Sequence, residues 1–162
     1  MKIGIVSDTH NNLKNILKIC EIFNSNSIDL VIHTGDISLP KALKAFDNLE
    51  MEMIGVFGNN DLGEKLDLIN TSKNLNCHLF EGPHSLKINN LNISIVHDPK
   101  DISDDLLKKS NIIFHGHTHR YNLETVQDTI IYNPGECAGM MEGKNKVGIL
   151  ETNPVKINTI SF

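Results

Sequence analysis

The residues best suited to chemistry are three histidines at alternate positions between Phe114 and Arg120. Alternate side chains share a face in an extended backbone, so His117 and His119 are expected to converge on one point or on two neighbouring points. Gly116, inside the cluster, is expected to let the preceding strand stop and turn sharply. Neutral imidazole is the commonest metal ligand among side chains, and the cluster therefore predicts a metal site.

Further polar groups follow apolar runs elsewhere in the chain. The first apolar run ends just before Asp8 and His10, and the second ends before Asp36. Parallel strands place such groups in a crevice at their carboxyl ends. With the groups that follow later runs included, the candidate ligands are Asp8, His10, Asp36, Asn59, His97, His117 and His119. Seven oxygen and nitrogen ligands are too many for one tetrahedral zinc and suit two metals that share a carboxylate, for which Asp36 is the natural bridge.

The hydrophobic pattern predicts alternating strands and helices in the first half of the chain and mostly antiparallel strands in the second. The predicted strands cover residues 2–7, 29–34, 53–57, 85–88, 91–95, 111–114, 122–126, 129–133, 146–151 and 155–160. Four helices are predicted, the first capped by Asn11 or Asn12, the second by Ser38, and the others over about 62–73 and 103–109. The β-α-β-α-β order at the start implies parallel strands joined by right-handed crossovers.

Composition excludes several classes of protein. The chain has 162 residues and 40% hydrophobic content, which suits one domain with its own core. Its formal net charge of -5 disfavours extended nucleic-acid binding, which needs a basic surface. Since no apolar run approaches the ~20 residues of a membrane span, we expect neither a membrane segment nor a signal peptide. The three cysteines are widely spaced, which indicates a reducing cytoplasm, and Cys137 has no neighbouring base that would make it a nucleophile.

Five motifs occur in a fixed order: Asp-x-His, Gly-Asp, Gly-Asn-x-Asp, a strand-end His and Gly-His-x-His. In this order they resemble the motifs of the calcineurin-like metallophosphoesterases. The chain length and the turn Asn133-Pro134-Gly135 resemble the small prokaryotic phosphodiesterases of that superfamily. The resemblance implies an α/β (α+β) fold, a four-layer α-β-β-α sandwich of two mixed β-sheets flanked by helices, in a single domain over residues 1–162. It also implies a metal-dependent phosphodiesterase that acts on a small or nucleotide diester.

The resemblance further assigns roles to individual residues. It implies that one metal is held by Asp8, His10 and His119, and a second by Asn59, His97 and His117, with Asp36 between them. Relatives hold manganese, iron, zinc or nickel, and the reaction implied is in-line attack by a hydroxide that bridges the two ions. The residues expected to be catalytic are Asp36, Asn59, Asp61 and His97, with Asp61 orienting the amide of Asn59. The histidines expected to lie outside the metal site are His33, His78, His84 and His115.

Two positions depart from the family pattern. Many larger relatives have a histidine, the usual acid for the leaving oxygen, where this chain has Asn60. An amide cannot deliver a proton as an acid, so slow turnover of diesters with alkoxide-like leaving groups is expected. Asp98 stands where the family usually has glycine after the strand-end histidine, and it is expected to change the shape of the pocket.

Two other functions compete with this reading. A metallo-β-lactamase-like hydrolase also uses His-x-His, but it requires Asp-His directly afterwards, and Thr118-His119-Arg120 does not supply it. The small subunit of retromer resembles this fold and acts as a protein-binding scaffold. A scaffold does not need a complete ligand set, whereas this chain has all seven groups, so we favour the enzyme. Relatives often self-associate, and a homo-oligomer is therefore compatible with the resemblance.

Overall fold

The computed structural model describes residues 1–141 and 143–162 and contains two β-sheets with helices on their outer faces. The strands are β1 (Lys2–Val6), β2 (Leu30–His33), β3 (Glu52–Val56), β4 (Cys77–Phe80), β5 (His84–Ile88), β6 (Leu91–Ile95), β7 (Ile112–Phe114), β8 (Asn122–Val126), β9 (Thr129–Asn133), β10 (Lys146–Thr152) and β11 (Val155–Ser161). The α-helices are α1 (Leu13–Ser25), α2 (Pro40–Ala45), α3 (Lys65–Ser72) and α4 (Asp104–Lys109). Short 3₁₀ helices span Phe46–Asn48, Asn59–Glu64 and Pro99–Asp101.

The first sheet has six strands in the order β11-β10-β1-β2-β3-β4. Strands β1 to β4 run parallel to their neighbours, as the alternation of strands and helices predicts, and β10 and β11 add an antiparallel edge. Ile3 and Ile5 of β1 pack between the sheets, while Val6 packs on the helical side. Both faces of β1 are thus covered, which explains its unbroken apolar sequence.

The second sheet has five strands in the order β5-β6-β7-β9-β8. The predicted hairpin of β5 and β6 forms, and β8 pairs with β9 in antiparallel fashion. Strand β7 runs parallel to both β6 and β9, so this sheet is more mixed than the predicted antiparallel pattern. The reason is that the segments before and after β7 leave the sheet and return, which places β6, β7 and β9 with their carboxyl ends at the same edge.

Three apolar clusters separate the four layers. Helices α1 to α3 cover the outer face of the first sheet through buried residues such as Phe23, Leu43 and Leu68. A second cluster, which includes Phe114 and Tyr132, fills the space between the sheets. The third lies under α4, on the outer face of the second sheet. This arrangement confirms the predicted four-layer sandwich of two mixed sheets.

The local predictions hold in part. Asn12 caps α1 by accepting a hydrogen bond from the backbone N–H of Asn15 at 3.1 Å, as predicted. The prediction that Ser38 caps α2 is wrong, because α2 begins after Leu39 and no side chain caps it. Strand β4 was not predicted, since its four residues lie at the sheet edge with alternating exposure and give no clear apolar run.

His33, at the end of β2, connects two of the loops that carry candidate ligands. Its Nδ1 accepts a hydrogen bond from the backbone N–H of Gly35 at 3.1 Å, so its Nε2 carries the proton and donates to Thr9 Oγ1 at 3.0 Å. The ring is fully buried, and burial lowers the pKa of His33 to about 3. His33 is therefore a neutral structural residue, in agreement with its expected position outside the metal site.

The buried neutral ring predicts a specific acid sensitivity. Below about pH 6.5 the unfolded chain binds a proton at His33 that the folded chain does not bind until near pH 3, so stability falls as the pH is lowered through this window. This residue should account for a loss of about 2 kcal/mol of unfolding free energy by pH 5. His33→Gln removes that component, and urea unfolding with a chelator at pH 8, 6.5 and 5 measures it. His78→Gln, at an exposed position, is the control, and parallel pH curves for His33→Gln and wild type would contradict the assignment.

Candidate metal centre

All seven predicted ligand groups lie together where strands of both sheets end. Asp8 and His10 follow β1, Asp36 follows β2, and Asn59 follows β3. From the second sheet, His97 follows β6, and the two histidines of the Gly-His-x-His motif follow β7. Contacts of 3.8 Å or less connect all seven side chains into one continuous cluster. The sequence therefore identified groups that the fold brings together, and their role as ligands remains a prediction.

The first half of the cluster contains Asp8, His10 and His119. The two imidazole Nε2 atoms are 3.4 Å apart, and His119 Nε2 is 3.6 Å from Asp8 Oδ1. Ligands about 2.0–2.2 Å from one ion lie about 3–3.5 Å from each other, so these separations are close to the edges of a coordination shell. The three groups can converge on one cation.

The second half contains Asn59, His97 and His117. Asn59 Oδ1 lies 3.0 Å from His97 Nε2 and 2.9 Å from His117 Nδ1. His97 Nε2 is also 3.5 Å from Asp36 Oδ1. These separations, too, are those of ligands around a common centre.

The tautomer of His97 tests whether a cation fits this half. His97 Nδ1 lies 2.9 Å from the carbonyl oxygen of Thr34, which can only accept, so Nδ1 carries the proton of the neutral ring. In the neutral ring the Nε2 lone pair then faces the oxygens of Asn59 and Asp36, and these three acceptors repel one another unless a proton or a metal ion lies between them. Although burial lowers the pKa of His97, contact with Asp36 outweighs burial and raises it. The donor set therefore fits a cation.

The backbone of the candidate ligands is unusual. Five of them have positive φ angles, between 45° and 67°: Asp8, His10, Asp36, His117 and His119. Non-glycine residues rarely adopt this conformation, and clusters of such residues mark functional sites. This left-handed backbone differs from the extended conformation predicted at His117 and His119. Strand β7 ends at Phe114, and the two side chains converge through left-handed turns and not through an extended backbone.

Asp36 and Asp8 are buried carboxylates with opposite pKa shifts. Burial raises the pKa of both groups. At Asp36, contact with His97 and two hydrogen bonds from Asn60, one from the backbone N–H at 2.8 Å and one from Nδ2 at 2.7 Å, outweigh burial and hold the pKa below its usual range. At Asp8, burial dominates and the pKa is raised. Asp36 thus holds its negative charge more firmly than Asp8.

Asp61 supports the site in a different way from the one predicted. Its buried carboxylate accepts hydrogen bonds from three backbone N–H groups, those of Asp36 (2.9 Å), Ser38 (2.6 Å) and Gly58 (2.7 Å), and not from the amide of Asn59. It therefore ties the loop after β2 to the loop after β3. The prediction that Asp61 orients Asn59 directly is corrected: Asp61 fixes the backbone that carries Asp36.

Close packing explains two glycines in the motifs. A Cβ atom on Gly58 would lie 2.2 Å from Asp36 Oδ1 and 2.5 Å from the Asp36 backbone nitrogen. A Cβ on Gly116 would lie 2.0 Å from Ser7 Oγ and 2.9 Å from Asp8 Oδ2. Gly116 is thus required by the close approach of the β1 loop, and its φ is not in the positive range that a sharp left-handed turn would need.

Sequence reasoning missed the groups behind the four histidines. In each of the four histidines, one ring nitrogen points away from the cluster and faces another polar atom. The distance is 3.1 Å from His10 to Ser38 Oγ and 2.9 Å from His97 to Thr34 O. It is 3.7 Å both from His117 to Asp98 Oδ2 and from His119 to Glu136 Oε2. Ser38 has the sequence signature of a helix cap, and Glu136 that of a turn residue. No spacing rule connects them to the histidines, since the contacts arise only from the fold.

The remaining histidines lie outside the cluster, as predicted. His78 is exposed beside Glu52, and His84 stacks on Phe80 with ring centroids 3.9 Å apart. His115 is buried and its Nδ1 lies 3.1 Å from the carbonyl oxygen of Gly116. Burial lowers the pKa of His115, which favours a neutral structural ring.

Comparison with known proteins supplies the family. A model of the calcineurin-like phosphoesterase superfamily domain matches residues 1–154. The chain belongs to this superfamily. Membership confirms the predicted family and identifies the protein as an enzyme of the metallophosphoesterase class, for which divalent metal cofactors are implied. The expectation of one domain over residues 1–162 stays a prediction.

Individual members of the superfamily resemble the whole chain. The protein is 39% identical over 156 residues to the phosphodiesterase MJ0936 of Methanocaldococcus jannaschii, covering 94% of this chain and 93% of the relative. It superimposes on the structure of an archaeal phosphodiesterase with a TM-score of 0.92, 36% identity and full coverage of both chains. The Escherichia coli phosphoesterase YfcE shares the fold, with a TM-score of 0.75 at 17% identity and 99% coverage of each chain. Within residues 1–141 and 143–162, no helix is long and apolar enough to cross a membrane.

The packing at Gly58 gives a direct test of the site. Gly58→Ala places a methyl group where Asp36 Oδ1 lies, so the carboxylate must move, and the affinity for Mn²⁺ should fall by more than about 10-fold in isothermal titration. Gly63→Ala is the matched control, because a Cβ there has no neighbour within 4 Å among the described residues. Equal affinities for the two variants would show that the position of Asp36 does not control metal binding.

Proposed function

We propose that this protein is a phosphodiesterase that holds two divalent metal ions and hydrolyses a small or nucleotide phosphodiester. One observation carries the proposal: the two oxygens of Asp36 face different halves of the cluster. Oδ2 lies 3.8 Å from His10 Nε2, and Oδ1 lies 3.5 Å from His97 Nε2. A carboxylate placed in this way can serve two ions at once, as two-metal hydrolases require.

The charges of the site suit an anionic substrate. When bound, two divalent ions would exceed the negative charge of Asp8 and Asp36, attract the phosphodiester, activate a water and stabilise the charge that develops during in-line attack. Asp8 and Asp36 are 0% and 2% exposed, so their charges act in a medium that screens them weakly. The site can therefore attract an anion although the whole chain has a net charge of -5.

Asn60 holds Asp36 but supplies no acid. Its Nδ2 and backbone N–H both donate to the Asp36 carboxylate, which fixes the rotation of the proposed bridge. An amide cannot protonate a departing alkoxide, and general acid help is typically worth ~10²- to 10⁴-fold in rate. Aryl diesters, whose leaving groups depart without a proton, are thus the better substrates.

A groove shares a loop with two candidate ligands. Its volume is about 460 Å³, within the usual range for small-molecule sites, and its lining includes Thr118, Arg120 and Tyr121. Thr118 separates His117 from His119 in the chain, and Arg120 is the sole arginine of the sequence. None of the candidate ligands lines the groove, so its link to the site is the loop that carries His117, Thr118 and His119.

The relatives support hydrolysis over a purely structural role. The protein at 39% identity and the structure at a TM-score of 0.92 are both described as phosphodiesterases. A protein-binding scaffold on the same fold does not require both halves of the cluster, yet each half here has its full set of groups. The positive φ angles of five candidate ligands also impose a conformational cost, and such strained residues cluster at functional sites.

Hydrolysis of an aryl diester, bis(p-nitrophenyl) phosphate, tests the proposal. Activity should appear on addition of Mn²⁺, Zn²⁺, Ni²⁺ or Fe²⁺ and disappear with chelator. Asp36→Asn should lower kcat/KM at least about 100-fold, since it removes one charge from the proposed bridge. Asp47→Asn, at an exposed aspartate, should leave it unchanged. A dialkyl diester should react more slowly than the aryl diester, and metal-independent activity or an active Asp36→Asn variant would contradict the proposal.

A further inference from the structure

The two histidines of the Gly-His-x-His motif present different ring nitrogens to the cluster. His117 directs Nδ1 inward, 2.9 Å from Asn59 Oδ1. His119 directs Nε2 inward, 3.6 Å from Asp8 Oδ1 and 3.4 Å from His10 Nε2. Since a neutral imidazole carries one proton, whichever nitrogen points inward as a ligand requires the other to be the N–H.

A carboxylate lies behind each of the two outward nitrogens. Asp98 Oδ2 is 3.7 Å from His117 Nε2, and Glu136 Oε2 is 3.7 Å from His119 Nδ1. A separation of 3.7 Å is longer than a hydrogen bond but short enough for a strong electrostatic interaction. Each carboxylate therefore acts on its ring directly and favours a proton on the nitrogen that faces it.

Besides the ring of His119, few groups compensate the negative charge of Glu136. The side chain is 0% exposed, and its oxygens accept hydrogen bonds from the backbone N–H groups of Met140 at 3.2 Å and Met141 at 2.9 Å. Within the described residues, the one side chain that meets it at ion-pair distance is the ring of His119, which is charged only when protonated. A buried carboxylate is costly without a positive partner, so this position suits a charge that acts through His119 on a cation beyond it.

Asp98 lies behind His117 as Glu136 lies behind His119, but its side chain is more exposed to solvent. Its Oδ1 accepts a hydrogen bond from the backbone N–H of Lys100 at 2.9 Å, which fixes the side chain at the start of the 3₁₀ helix. Its other oxygen is left facing His117, and the side chain is 28% exposed. Water screens this charge more than that of Glu136, so its effect on the ring must be smaller.

From these contacts we infer that Asp98 and Glu136 are positioning residues for metal binding. Asp98 holds His117 as the Nε2–H tautomer so that Nδ1 is the ligand, and Glu136 holds His119 as the Nδ1–H tautomer so that Nε2 is the ligand. Carboxylates behind metal-bound histidines fix the ring and raise its basicity. The inference rests on the proposed function, because it assumes that both rings bind metal.

Metal affinity measures the two contributions separately. Glu136→Gln keeps the size of the side chain and removes its charge, and it should weaken Zn²⁺ binding about 10- to 100-fold in competition with a chromophoric chelator. Asp98→Asn should weaken it by up to about 5-fold, since the group is partly exposed. Glu50→Gln and Asp101→Asn are the matched controls, at an exposed glutamate and at an exposed aspartate in the 3₁₀ helix that Asp98 caps.

Stability without metal separates positioning from a structural role. In chelator, Glu136→Gln should change the urea unfolding midpoint little, because removal of a buried charge offsets the loss of one of the two hydrogen bonds from Met140 and Met141, which an amide nitrogen cannot accept. A lower unfolding midpoint combined with unchanged Zn²⁺ affinity would show that Glu136 only supports the loop, and would overturn the inference.

The tautomers can be observed directly in the wild-type protein, which keeps the inference testable if a variant does not fold. In the metal-free protein at pH 8, with chelator present, two-bond ¹H–¹⁵N correlation spectra should show the proton on Nε2 of His117 and on Nδ1 of His119 before any metal selects the tautomer. The reverse assignment at either ring, or variants that bind Zn²⁺ as tightly as their controls, would overturn the inference and leave the proposed function intact. A wild-type protein that binds no metal would overturn the proposed function, and the inference with it.

Discussion

The site depends on a buried carboxylate that serves two groups of ligands at once. Asp36 is 2% exposed, so its charge must be compensated by the groups that reach it. Asn60 donates to both of its oxygens, Asp61 binds its backbone N–H, and His10 and His97 face it from opposite sides. Each of these groups lies on a different loop or strand end from Asp36, so the carboxylate ties the loops to one another.

The layered fold brings these loops together. The parallel strands β1, β2 and β3 end at one edge of the first sheet, and β6 and β7 end at the matching edge of the second. Tight packing then brings the loops within ligand distance, and even a methyl group at Gly58 would collide with Asp36. The positive φ angles of the candidate ligands are the cost of directing so many polar side chains inward from short loops.

The sequence predicted the ligand groups because each motif follows an apolar run, and strand ends are visible in a hydrophobic pattern. It also predicted the parallel first sheet, since strands and helices alternate there. It did not reveal the left-handed backbone at His117 and His119. Nor did it reveal the contact of Ser38 with the ring of His10 or the placement of Glu136 behind His119. These features depend on contacts between distant segments, which local periodicity does not encode.

The central claim, that Asp36 lies between two metal ions, is tested most directly by anomalous scattering from crystals grown with Mn²⁺. The account predicts two peaks roughly 3.5–4 Å apart. One should lie among Asp8, His10 and His119, and the other among Asn59, His97 and His117, with Asp36 contacting both. A single peak with tetrahedral ligands, and the other groups turned away from it, would contradict the account.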